Sequence, residues 1–202
     1  MFDRTIYAGV RTYNDPTYTD CFLSLVKSDD NGATWDFVSD VTGPSETAAI
    51  EFGMEYVGNN TIVAMIRSLD HTAGYRRIST DMGATWGTLD NVTSSVGILG
   101  RSRVYTAMHV RGEAGWWKDP NLVMVGYVQQ VSGSSQTRRN AVWFSPDRGT
   151  TWDGPHYIDS STEDAGYGDM FWNGSGYSVI NYQGTLTAAS LKQYDLTVDL
   201  TA

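Results

Sequence analysis

Short runs of β-branched and aromatic residues, broken at close intervals by Gly, Asn, Asp or Ser, recur along the whole chain. Runs of this length and makeup predict strands, and no window shows the period of an amphipathic helix. The pattern predicts strands over 5–13, 21–27 and 36–41. A second group covers 48–57, 61–67, 74–79 and 87–92, and a third 103–110, 122–129, 140–145 and 156–159. A final group covers 167–172, 177–182 and 188–198. Gly58-Asn59-Asn60 and Asn173-Gly174-Ser175-Gly176 read as turns, and the polar stretch 132–136 reads as a loop inside the third group.

An internal repeat punctuates these groups. SDDNGATW begins at Ser28, STDMGATW at Ser79 and SPDRGTTW at Ser145, all fitting S-x-D-x-G-[AT]-T-W. The starts are 51 and 66 residues apart, room for units of about four short strands, and four-stranded units arranged radially make a β-propeller. Within each copy the aspartate (Asp30, Asp81, Asp147) is placed to accept hydrogen bonds from loop amides. The glycine (Gly32, Gly83, Gly149) supplies left-handed backbone. The tryptophan (Trp35, Trp86, Trp152) is expected to re-enter a strand and bury its ring between neighbouring units. A calcium-loop reading of Asp29 and Asp30 lacks the downstream bidentate glutamate.

The count of three, four, four and three strands predicts an all-β chain of about 3.5 to 4 four-stranded blades. The approximate spans are 1–42, 43–95, 96–160 and 161–202. Such a piece begins inside one blade and stops one strand short in another, so an open ring leaves strand edges to be covered. A missing N-terminal half or a partner chain is expected there.

Composition limits the chemistry. With 23 acidic against 14 basic residues and a net charge of -9, the chain has no electrostatic footprint for nucleic acid. Lysine is scarce (Lys27, Lys118, Lys192) and arginine supplies the other positive charges, a bias that suits two-pronged recognition of carboxylates. The single Cys21 excludes an internal disulfide, and His71, His109 and His156 show no ligand spacing, so no metal or cofactor is expected. The longest apolar runs fall far short of the roughly 20 residues of a membrane helix. Met1-Phe2-Asp3-Arg4-Thr5 lacks the basic, then apolar, start of a secretion signal. The chain stays where it is made, is an excerpt, or reaches an extracellular or virion surface by another route.

The triple octapeptide is the Asp-box, or bacterial neuraminidase repeat, and the chain resembles the sialidase superfamily of six-bladed propellers. Three further features carry the resemblance. Glu51 precedes Arg67 by 16 residues, with TIVAMIR ending at that arginine and an octapeptide following. Arg138-Arg139-Asn140-Ala141 stands ahead of SPDRGTTW, matching a family arginine best at Arg138, with Arg139 the rival. Tyr167-Gly168-Asp169-Met170 lies 29 residues after Arg138, where the family has its nucleophilic tyrosine, and NGSGYSVINYQ follows like the family's final hairpin.

The resemblance implies an exo-α-sialidase type of glycoside hydrolase, or part of one, acting on sialylated or related acidic glycans. Tyr167 would be the nucleophile, Glu51 its proton acceptor, and Arg67 with Arg138 or Arg139 the clamp on the substrate carboxylate. A neutral tyrosine suits a substrate whose anomeric carbon carries a carboxylate, because an anionic nucleophile would be repelled. The family's first triad arginine and its acid/base aspartate have no match at Arg4, Arg11, Asp3 or Asp20, and Gln183 stands where a supporting glutamate is common. The alternative is a non-catalytic carbohydrate- or receptor-binding propeller, as on a phage or bacterial surface. A protein-scaffolding propeller with no sugar role is a third reading. Trp116-Trp117 is a candidate sugar-stacking platform or ordinary packing.

Overall fold

The computed structural model describes residues 5–13, 21–43, 46, 49–68, 73–94, 102–111, 117–132, 135–147, 150–158, 165–172, 177–185 and 188–196. In β8, in β9 and at Glu51, Arg138 and Tyr167 the description is of the backbone. Four antiparallel sheets follow one another in the chain. The first holds β1 (Ile6–Tyr13), β2 (Cys21–Ser28) and β3 (Asp36–Asp40). The second holds β4 (Ala49–Tyr56), β5 (Ile62–Ser68), β6 (Gly74–Ser79) and the two-residue β7 (Asp90–Asn91). The third holds β8 (Ser102–Arg111), β9 (Trp117–Ser132), β10 (Ser135–Ser145) and β11 (Asp153–Tyr157). The fourth holds β12 (Ala165–Trp172), β13 (Tyr177–Thr185) and β14 (Ala188–Leu196).

Strand grouping follows the hydrophobic pattern, with two corrections. The polar stretch 132–136 is mostly strand: β9 and β10 approach within two residues of each other, pairing Ser135 with Ser132 and Gln136 with Val131. Polar side chains do not interrupt an antiparallel ladder, which is a backbone structure that tolerates solvent on its faces. The segment expected over 87–92 is tied beside β6 at its ends, by Gly87 N to the Ile78 carbonyl and Val92 N to the Gly74 carbonyl. Only Asp90 and Asn91 pair as strand.

The core lies between sheets. Along β5, Ile62, Ala64 and Ile66 cluster with Leu23, Leu25 and Val41 of the first sheet and its edge. The intervening Val63 and Met65 cluster with Ala141, Trp143 and Trp152 of the third. A strand buried on both faces must be apolar at consecutive positions, which is why TIVAMI shows no alternation. Each buried Leu or Ile contributes about 1.5–3 kcal/mol. Gly9 of β1 lets this packing close, since a Cβ there would lie 2.1 Å from Phe52 Cζ.

The octapeptides form loops with one shared hydrogen-bond plan. Ser28, Ser79 and Ser145 donate their hydroxyls to Asp30, Asp81 and Asp147 at 2.8, 2.8 and 3.0 Å. Each aspartate accepts from the backbone amide of Thr34, Thr85 or Thr151 at 2.8, 2.9 and 2.7 Å, and from the same threonine's hydroxyl. Gly32 and Gly83 are left-handed, at φ 89° and 81°; Gly149 lies outside the described residues. Asn31 and Met82, the residues before them, are also left-handed, at φ 62° and 59°. Asparagine tolerates that conformation, whereas methionine holds it at a cost of about 1–3 kcal/mol.

The second and third loops lean on the preceding sheet. Trp86 donates its indole N–H to Ser39 Oγ of the first sheet at 2.9 Å, and that hydroxyl donates to the Gly83 carbonyl at 2.5 Å. A Cβ on Gly83 would meet Leu25 Cδ2 at 2.1 Å. Trp152 joins the core shared with the second sheet and is 8% exposed. Trp35 departs from the expected burial. It is 45% exposed, because no sheet precedes its own among the described residues, and its indole N–H turns back to the Gly32 carbonyl. Phe37, at 65%, and the half-exposed Ile6 and Val10 accompany it.

Two outcomes are expected. Trp152→Ala should lose about 3–5 kcal/mol of unfolding free energy in urea titrations, whereas Trp35→Ala should lose less than about 1 kcal/mol. Hydrogen bonds from Thr34, then Ser28, hold Asp30 down at about 2, and Asp81 is lowered likewise by Thr85 and Ser79. For Asp147, burial pushes upward, but the bonds from Thr151 and Ser145 outweigh it and the net shift is down. Stabilisation from these carboxylates is complete above the ordinary value of 3.8 and disappears as pH falls toward the lowered folded values. Thermal midpoints should therefore drop between pH 4 and 2, with a shallower drop in an Asp30→Asn, Asp81→Asn, Asp147→Asn triple variant.

Candidate functional site

Glu51 and Arg67 are direct cross-strand partners in the β4–β5 ladder. The register shifts between Ala49 and Glu51, so Ile50 is an extra residue and the bulge sits immediately before Glu51. Partners facing each other across an antiparallel pair share a face, and bulges bend a strand and redirect its side chains. Arg67 is 1% exposed. That burial excludes a solvated strand cap, because a guanidinium this deep requires compensating polar or anionic groups.

Tyr167 also stands in a bulge. In the β12–β13 ladder Gly166 pairs with Tyr182 and Gly168 with Asn181, leaving Tyr167 as the added residue. β8 is bulged at two places, one of them between Val104 and Thr106. These three strands each open their own sheet, and β8 packs against both β4 and β12. The bulges thus fall on adjoining first strands.

Arg138 and Arg139 lie on β10 opposite Gln129 and Val128, and β10 packs against the strand of Tyr167. Consecutive positions of a strand alternate between the two faces of its sheet. The Arg139 guanidinium lies 3.9 Å from the centroid of the Tyr157 ring on β11, so this side chain is engaged within its own sheet. Other arginines are similarly occupied. Arg76 meets Asp90 at 2.7 Å, and Arg77 bridges Glu46 and the Val41 carbonyl at 2.5 and 2.8 Å. Arg11 stacks on Tyr13 at 4.6 Å. Sequence spacing does not reveal these attachments, since each depends on which strand lies alongside.

The structure therefore brings Glu51 and Arg67 into direct register. It sets Arg138 and Tyr167 on contacting strands without describing their side chains. Gln183 is 5% exposed on β13, with the Tyr194 hydroxyl 3.5 Å from its Oε1. Trp117 begins β9, and Trp116 lies outside the described residues. Among the described residues no cluster of His, Cys, Asp and Glu has metal-binding geometry, and no helix is long and apolar enough to cross a membrane. Residues that spacing did not single out line a cleft of about 570 Å³ between the third and fourth sheets, where Phe144, His156 and Tyr157 face Tyr194 and Asp195.

No protein-family model matches the chain, and no curated relative does. Solved structures do. A Trypanosoma rangeli sialidase superposes with a TM-score of 0.65 at 17% identity, covering 94% of this chain and 29% of that one. The fold is that of the sialidase-like propellers. A Dyadobacter fermentans protein of unknown function matches with a TM-score of 0.64 at 15% identity, over 95% of this chain and 50% of its own. An endo-arabinase from Bacteroides thetaiotaomicron matches at 0.62 and 11%, over 99% and 74%. The chain thus spans half the length of the Dyadobacter fermentans protein and under a third of the sialidase.

The Arg139–Tyr157 stack is testable alone. A double-mutant cycle with Arg139→Ala and Tyr157→Leu should give a coupling of about 0.5–1 kcal/mol in urea unfolding, the size of a partly exposed cation–π contact.

Proposed function

We propose that this chain is a sialidase-like glycoside hydrolase, or the part of one that grips and attacks a terminal sialic acid. The observation that carries the reading is the buried Arg67 set opposite Glu51, with the candidate nucleophile Tyr167 on a bulged strand one sheet beyond β8. A buried guanidinium at a strand end suits a carboxylate-bearing sugar and has no comparable partner in a neutral arabinan. The Trypanosoma rangeli sialidase superposed above is also known in complex with sialic acid and with 2,3-difluorosialic acid as a covalent intermediate.

In this mechanism the Tyr167 oxygen attacks the anomeric carbon as its phenol proton passes to Glu51, and the glycosidic bond breaks with a solvent water giving its proton to the departing alkoxide. Arg67 and Arg138 hold the substrate carboxylate by charge-assisted bonds. Arg138 is preferred to Arg139, which Tyr157 already engages. A second water then attacks the anomeric carbon and displaces the tyrosine oxygen, which takes its proton back from Glu51, while the proton lost by that water neutralises the hydroxide left by the first step. The exposed face bearing Trp35 and Phe37 is where a further sheet would extend the ring.

A second reading is a propeller that binds acidic glycans without turnover. The buried amide of Gln183, in place of a carboxylate, favours it. Hydrolysis of a fluorogenic sialoside decides between them. The first reading expects release that falls to background in Tyr167→Phe and by about 10²–10⁴-fold in Glu51→Gln. Binding of sialyllactose with no release supports the second. Neither binding nor release rejects both, as does hydrolysis of arabinan alone.

A further inference from the structure

We propose that Tyr105 is a further substrate-binding residue of the same centre, hydrogen-bonding the acidic sugar through its phenol. The proposal deepens the sialidase-like reading and rests on it. Neither the octapeptides nor the spacing of Glu51, Arg67, Arg138 and Tyr167 singles this residue out.

The strands that open the second, third and fourth sheets are each bulged close to their start. The added residue is Ile50 on β4, immediately before Glu51, and Tyr167 on β12. On β8 it is Tyr105, between the pairs Val104–Gly126 and Thr106–Val125. These are the second, third and fourth residues of β4, β12 and β8. β8 packs against both β4 and β12, so Tyr105 stands on the strand between those of Glu51 and Tyr167. Its sheet is also that of Arg138, on β10.

Each of the three strands lies at an edge of its sheet, in the orders β4-β5-β6-β7, β8-β9-β10-β11 and β12-β13-β14. The radial plan of a propeller gathers such edges around one axis. Bulges at matching places on adjoining edges re-aim the residues beside them toward a shared mouth, as bulges next to active sites do. Opening a sheet does not by itself require a bulge. β1 also lies at an edge, yet its ladder with β2 runs from Ile6–Ser28 to Tyr13–Cys21 without a shift. None of the candidate site residues lies on β1. The start-of-strand bulge therefore follows the site, and Tyr105 is its member on the middle strand.

Residue type gives the role. A phenol both donates and accepts hydrogen bonds while staying neutral near pH 7, and its ring covers the apolar face of a sugar. It can sit beside a substrate carboxylate without the repulsion that Asp or Glu would bring, leaving the arginines to hold the charge. Such a bond is made to bound substrate and transition state alike, so its loss raises KM more than it lowers kcat.

Steady-state hydrolysis of the fluorogenic sialoside tests the role, with calorimetric titration of 3′-sialyllactose alongside. Tyr105→Phe should raise KM about three- to tenfold with kcat within about twofold, the effect of one neutral hydrogen bond. Tyr105→Ala should raise KM further by removing the ring. Circular dichroism checks folding, and the phenylalanine variant decides alone where the alanine variant is unfolded. If the parent binds 3′-sialyllactose without cleaving it, the same loss should appear in Kd. Parent-like KM and Kd in the folded variants overturn the role and leave the proposed function standing. Release that vanishes in Tyr105→Phe but persists in Tyr167→Phe makes Tyr105 the nucleophile, which overturns the role too. A parent that neither binds nor cleaves sialosides rejects the function, and the role with it.

Discussion

Burial of one strand on both faces is the constraint on which the second sheet and its neighbours rest. Residues Ile62 to Ile66 are all nearly inaccessible, alternately facing the first and third sheets. A slip of one residue in β5 would exchange its two sets of side chains between cores of different shape, so its register is strongly specified. That register also sets the chemistry. Arg67 continues the row of Val63 and Met65, and its place opposite Glu51 is inherited from the packing of its apolar neighbours.

Polar contacts then fix how far apart the sheets sit and how they are turned. Ser39 accepts from the Trp86 indole while donating to Gly83, so one hydroxyl ties the ring and the backbone of the second loop to the first sheet. Arg77 ties Glu46 and the Val41 carbonyl to β6 in the same region. The aspartates act inside their loops instead, satisfying amides that would otherwise lie unpaired in tight, left-handed turns.

Much of this was legible in the chain itself, for physical reasons. Runs such as IVAMI and CFLSLV must be buried strands, and the serine-to-tryptophan repeat marks the connection into the last strand of each of the first three sheets. The grouping into three, four, four and three strands follows from those two signals. The exposed Trp35 was not legible, since the same eight residues bury their ring only where another sheet lies beneath. Nor was the strand character of Ser132, Ser135 and Gln136, since polarity bears on side chains and not on backbone pairing. At the site, the spacing of Glu51 and Arg67 carried to their pairing because a well-specified hairpin joins them. The bulge at Tyr167 did not show, because a bulge is a mismatch in count between two strands and neither strand reveals it alone. The difference between Arg138 and Arg139 likewise needed Tyr157 beside them.

Two of the close approaches made by glycine leave different room for inherited change. At Gly9 the obstacles are the Phe52 ring and, at 2.9 Å, the flexible end of Met54, both side chains, so a lineage that first shortened residue 52 would be free to accept alanine at 9 with a small shift of Met54. At Gly83 the neighbour Leu25 is one obstacle and the backbone at φ 81° is another. Trimming leucine removes the first and leaves the second. Drift can therefore pass through the first position by paired steps, while the second is closed to it in any background that keeps this loop.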